Sequence, residues 1–242
     1  MTHSLPKKPK VLKKPLTPIQ KHATKRSLAA LVLFGVTASI FMGLAKEVRD
    51  SETLTVDTSI LNAIHHYTGG MFDQLVVYIT NTSGPIIIPI VTALLCVVLL
   101  YTEKRNYALK LMLGVGGASL IGVILKNIFN RQRPDLWDKI VTEHTFSFPS
   151  GHAIASSALA ASIIFALWHT KWRYPSIILG VLYSIIIAFT RLYLGVHYPS
   201  DIIAGWCISL SWVALVWFIF TQTKKEVTAK ADPSHAQTQK SS

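Results

Sequence analysis

Charge is scarce in this chain, and acidic charge scarcer still. Only 15% of its 242 residues are charged, and the 12 Asp and Glu face 24 Lys and Arg. With half of the residues hydrophobic and a mean hydropathy of +0.40, that shortage excludes an ordinary soluble domain of this size. Cysteine is also nearly missing. Cys96 and Cys207 both fall in apolar runs, where a thiol behaves as a small apolar group, so they do not mark a redox compartment. No Cys/His metal spacing occurs anywhere, and Asp135 with Asp138 is a poor ligand pair, so the expected cofactor and metal content is none. No internal repeat is visible, which leaves one membrane domain.

What is present is a series of charge-free apolar runs: Leu28–Ala45, Gly84–Tyr101, Leu111–Leu125, Ala153–His169, Pro175–Thr190 and Ile202–Thr221. A helix needs about 20 residues to cross a hydrocarbon core of about 30 Å. The run from Leu111 lengthens backwards to Tyr107 if Lys110 snorkels toward the interface. The expectation is an all-α integral membrane protein with six transmembrane helices over residues 27–221. Residues 1–26 form a basic leader and residues 222–242 a polar tail, both read as disordered. No small-residue cleavage site follows Leu28–Ala45, so it reads as a retained first span and not a signal peptide.

Positive charge marks the cytoplasmic side. With the N-terminus inside, the inner segments carry 8, 3, 2 and 4 basic residues, 17 in all, against 7 outside. Both termini are therefore expected in the cytoplasm, and the net charge of +12 reflects topology and anionic headgroups. The partner is a bilayer and not a nucleic acid: the leader interleaves its basic residues with prolines and has no stacking aromatics.

Between the first two runs, residues 57–83 mix apolar and polar positions at helical spacing, predicting one or two amphipathic helices at the outer interface. His65 and His66, being adjacent, point to different helix faces and read as surface residues. Gly114, Gly116, Gly117 and Ala118 give the third span a small side for close helix packing.

Three clusters lie at the same expected end of their spans: Lys126…Arg133-Pro134, Pro149-Ser150-Gly151-His152, and Thr190-Arg191…His197…Asp201. Lys126, Arg133 and Arg191 are three cations beside a low-dielectric medium, and Asp201 alone cannot balance them, so they ask for an anion. Guanidinium forks suit the several oxygens of a phosphate. Backbone N–H groups of Ser150 and Gly151 and the start of the fourth span offer further donors, and Pro199 suits a second helix start aimed the same way. His197 and Asp201, four apart, face one another if the turn between them is helix-like; the carboxylate then fixes the tautomer of a ring able to attack phosphorus. His152 is placed to protonate a leaving oxygen. Arg131, Asp135, Asp138, Lys139, Glu143 and His144 obey no required spacing and read as loop surface.

These residues resemble the K-x6-RP, PSGH and SR-x5-H-x3-D motifs of the type 2 phosphatidic acid phosphatase superfamily. The family usually has serine where Thr190 stands; the hydroxyl is kept. The resemblance implies a six-helix membrane enzyme whose core bundle is shared with soluble vanadium haloperoxidases, and metal-free chemistry through a phosphohistidine. Carried over by position, His197 is the nucleophile, Asp201 its support and His152 the general acid. Lys126, Arg133, Ser150, Gly151 and Arg191 hold the phosphate. Size and topology are most similar to the bacterial branch that hydrolyses phosphatidate, phosphatidylglycerol phosphate and undecaprenyl diphosphate. Phosphoryl transfer to a lipid or sugar, and non-catalytic phospholipid binding or transport, are the rival readings.

Overall fold

The computed structural model describes residues 18–138 and 140–230, with side chains for 27–138 and 140–221. Its regular elements there are all helices: α1 (Pro18–Arg49), α2 (Leu54–His65), α3 (Phe72–Asn81), α4 (Ile87–Tyr101), α5 (Arg105–Phe129), α6 (Gly151–Leu167), α7 (Arg173–Tyr193) and α8 (Pro199–Lys230). Most of the expected leader and tail lie outside the described residues; the described backbone there continues α1 and α8.

Among the described residues four helices are long and apolar enough to cross a bilayer, at Ser27–Arg49, Arg105–Phe129, Arg173–Tyr193 and Pro199–Thr221. The other two expected runs form shorter apolar helices: α4 has 15 residues and α6 has 17. At 1.5 Å per residue these reach about 22 and 26 Å, short of a 30 Å core. Residues 57–83 supply α2 and α3, which pack against α7, with α2 also touching α8.

α6 is the central helix, packed on α5, α7 and α8, while α1 lies along α8 and α4 along α5. Small residues permit this. Gly117 leaves room for the indole of Trp212, whose Nε1 donates to the Leu113 carbonyl at 2.8 Å; an added Cβ would sit 2.2 Å from that nitrogen. Gly114 faces Ser162 and Gly122 faces Ile154, whereas Gly116 meets nothing, so the close-packing glycines of α5 are Gly114, Gly117 and Gly122. The core comprises Leu111, Val115, Ala118, Ile154, Ala158 and Val213 among others. The first helix belongs to the bundle: Thr37 Oγ1 meets Ser211 Oγ 2.6 Å away. Outward faces carry Val32, Leu94, Val98, Ile178 and Leu182, as surfaces meant for lipid. Lys110 lies 4.3 Å above the Trp217 ring, so an aromatic surface and not only the interface receives its charge.

Candidate active site

The polar pole of the bundle is built where helices end. Asn130, in the left-handed region at φ 49°, terminates α5 and turns the chain away just after Lys126. Ser150 caps α6, its Oγ accepting from Ala153 N, and Phe148 anchors the preceding loop by packing on Phe129 and Phe41. Gly195, at φ 64°, lets the chain after α7 turn back beneath Trp137, where any Cβ would lie within 3 Å of the indole. That turn carries His197 to the start of α8.

His197 is buried, and its two ring nitrogens face different partners. Nδ1 is 3.3 Å from Asp201 Oδ2, and Nε2 is 3.2 Å from Arg133 Nη1. A carboxylate accepts only, so Nδ1 carries the hydrogen and Nε2 keeps its lone pair toward the cations. Burial, reinforced by Arg133, Arg191 and Lys126, holds the His197 pKa well below 6.5, so the ring is neutral at neutral pH.

Arg133 donates to Thr145 O and Val196 O, each at 2.7 Å, which fixes its fork against His197. Lys126 donates to the Phe146 carbonyl. Arg191 is 1% exposed; its Nη1 donates to Thr80 Oγ1 at 3.1 Å, its Nη2 to Glu143, and its Nε is buried without a partner among the described residues. His152, one residue ahead of the apolar run of α6, sits in the combined field of Arg191, Glu143, Arg133 and Lys126. The residues of all three sequence clusters therefore meet at one pole. Of these clusters the first borders a cavity of about 770 Å³, lined by Lys126, Arg131, Arg133, Glu143 and Phe146, with Val123 and Asn127 on its α5 side.

Several expectations need correction. Glu143, read as loop surface, pairs with Arg191 and lies 3.6 Å from Arg133. Burial pushes its carboxyl up, but Arg191 and Arg133 more than offset this and hold it below the usual range. Arg131, also read as surface, is buried between Asp57 and Asp201. Asp201 is therefore balanced by Arg131, and Glu143 is the carboxylate that faces the cluster of cations. Ser150 does not offer its N–H, which donates to the Asp201 carbonyl at 3.1 Å; the unpartnered donors among the described residues of that turn are the N–H groups of Gly151 and His152. Nor is the start of α8 open, because Asp57 Oδ1 accepts from Ser200 N at 2.9 Å. Thr190 turns its hydroxyl to the Ile187 carbonyl, as serine there would, and so serves the helix. His65, His66, Asp135, Asp138 and His144 are exposed as expected, with His65 stacked on Trp137; Lys139 lies outside the described residues.

The sequence reading put Arg131 and Glu143 on the loop surface and gave no role to Asp57, Thr80, Ser147 and Ser200. Their partners lie far away along the chain, so no local spacing announces them. The one available signal was charge: carboxylates are rare here, and Asp57 interrupts the apolar face of an amphipathic segment.

Residues 107–225 match the PAP2 superfamily. An undecaprenyl-diphosphatase of Sulfolobus acidocaldarius is 26% identical over 193 residues, covering 77% of this chain and 87% of that protein. A decaprenylphosphoryl-5-phosphoribose phosphatase of Mycobacterium tuberculosis is 33% identical over 132 residues, covering 52% of this chain and 68% of the relative. The crystal structure of a transmembrane PAP2-type phosphatidylglycerolphosphate phosphatase from Bacillus subtilis superposes with a TM-score of 0.69 at 22% identity, covering 80% of this chain and 96% of that one, and so shares the fold. With its helical bundle, its three converging motifs and these relatives, the chain belongs to the PAP2 superfamily.

Proposed function

We propose that this integral membrane protein is a lipid phosphatase that removes the terminal phosphate of phosphatidate, phosphatidylglycerol phosphate or undecaprenyl diphosphate through a phosphohistidine on His197. The observation that carries this reading is the buried His197, whose Nε2 faces Arg133 in a pole where, among the described residues, Arg191 Nε and the N–H groups of Gly151 and His152 lack partners. Named relatives acting on undecaprenyl diphosphate and phosphatidylglycerophosphate support it.

Three cations against Glu143 leave two positive charges, which suits a dianionic phosphate. The oxygens of the phosphate take up the unpartnered donors and share Arg133 and Arg191 with Glu143. His197 Nε2 attacks phosphorus while the bond to the lipid oxygen breaks, and Asp201 holds the Nδ1 proton as the ring becomes cationic. His152 supplies the proton taken by the leaving oxygen. The surrounding cations oppose a proton on His152, and the arriving dianion reverses that field. Water, giving its proton to His152, then attacks phosphorus, breaks the P–N bond and releases inorganic phosphate.

The distribution of Lys and Arg supports an orientation with both termini in the cytoplasm, the pole at the extracytoplasmic face and the lipid chain remaining between helices. Purified protein should release inorganic phosphate from all three substrate classes in excess EDTA. Complete loss of release under chelation would remove the metal-free mechanism. Transfer of label to an added lipid or sugar alcohol in place of water would make the protein a phosphotransferase.

A further inference from the structure

Arg131 borders the same cavity as Lys126 and Arg133, and yet its largely buried side chain turns its guanidinium to two buried carboxylates. Its Nη1 donates to Asp201 Oδ1 at 2.6 Å and to Ser200 Oγ at 2.7 Å; its Nη2 donates to Asp57 Oδ2 at 2.7 Å. The side-chain exposures are 12% for Arg131, 3% for Asp57 and 0% for Asp201. The Tyr198 ring backs the guanidinium, 4.1 Å from its central carbon. Asp57 is fixed in turn by the Ser200 N–H and hydroxyl.

This bridge decides which oxygen of Asp201 the nucleophile can use. Arg131 occupies Oδ1, so Oδ2 is left for His197 Nδ1, the Tyr198 N–H at 2.9 Å and the Ser147 hydroxyl. A carboxylate without that fork is free to rotate about its last torsion and exchange its oxygens, and a buried one without a cation is also strongly disfavoured. Asp57 stands on α2, more than 140 residues before Asp201, and it caps the helix that carries Asp201. The outer helix is thus wired to the catalytic ring.

We propose that Arg131 and Asp57 are positioning residues for the nucleophile, a two-carboxylate bridge through which α2 sets the orientation of Asp201 and thereby of His197. The inference rests on the phosphohistidine reading above. It assigns a task to the segment before α4 that is separate from substrate contact: α2 holds the catalytic carboxylate in register.

The test compares full-length wild type with R131Q, R131K, D57N, the R131Q/D57N double variant and H197A, all in phosphatidate-containing vesicles, with orthovanadate as the phosphate-site probe. R131Q should lower kcat by about 100-fold and D57N by about tenfold, with KM and the vanadate inhibition constant within threefold of wild type. R131K should recover part of the loss, because an ammonium reaches one carboxylate but cannot fork to both. The double variant should be no slower than R131Q, since both substitutions break the same bridge. Unchanged kcat in R131Q overturns the proposal. So does a tenfold rise in KM and vanadate constant at preserved kcat, which would make Arg131 a substrate contact, and so do additive losses. Failure of both R131Q and D57N to fold makes the bridge structural and overturns it too. H197A retaining turnover would instead sink the phosphohistidine reading, and the behaviour of R131Q would then be judged apart from it.

Discussion

Replacing His197 by alanine abolishes phosphate release, with kcat falling by at least about 10⁴-fold, equivalent to more than 5 kcal/mol of barrier. The size follows from the role: losing the nucleophile removes the covalent step itself, and His152 lacks the carboxylate that braces the far nitrogen of His197. Ser147, the nearest alternative nucleophile, has its hydroxyl directed to Asp201 and 3.4 Å from the far side of the same ring. The check is phosphate release from phosphatidate vesicles, with acid-labile, base-stable label on wild type and none on H197A. Normal turnover in H197A would contradict the assignment. The pH profile adds a sign. Because burial and three cations keep the His197 pKa well below 6.5, the acid limb of kcat/KM that reports its protonation should lie below pH 6.5. In R133Q, with one of those cations gone, that limb should move to higher pH.

Replacing His152 by alanine should distinguish substrates by their leaving groups. An alcohol leaving phosphatidate needs a proton as its P–O bond breaks, whereas a polyprenyl phosphate leaving a diphosphate is already a stable anion. General acid catalysis contributes about 10²–10⁴-fold, so H152A should lose that much on phosphatidate and at least tenfold less on undecaprenyl diphosphate. Parallel rate measurements on the two lipids decide it. Equal losses would show that His152 acts on something common to both, such as the attacking water or the phosphoryl oxygens, and not on the leaving oxygen.

The candidate site residues stand out in the sequence for a physical reason. Lys126, His152, Arg191 and His197 are charged or titratable groups at the ends of apolar runs, where they stand out against a background with little charge. The His197–Asp201 pair was legible because a spacing of four is a local geometry, and α8 does begin at Pro199. Arg131 and Glu143 were missed because their roles are set by tertiary partners: Arg131 looks like any loop cation until α2 brings Asp57 to it. The same holds for the start of α8, whose open donors were plausible from Pro199 alone and are closed by a side chain 143 residues away. Helix lengths show a further limit. Apolar runs mark α4 and α6, but the turn residues that shorten them carry little hydropathy signal, so among the described residues length and composition mark four helices as long enough to span and leave α4 and α6 as shorter apolar helices.

The cavity bordered by Lys126 and Arg133 is also walled by Val123, an exposed residue on the lipid-facing side of α5. A headgroup arriving there need not leave its leaflet, since the hydrocarbon tail can stay among its neighbours while only the phosphate moves inward. The concentration that such an enzyme senses is two-dimensional. Its speed follows the mole fraction of substrate within the sheet of lipid, and diluting the surrounding water leaves it unchanged.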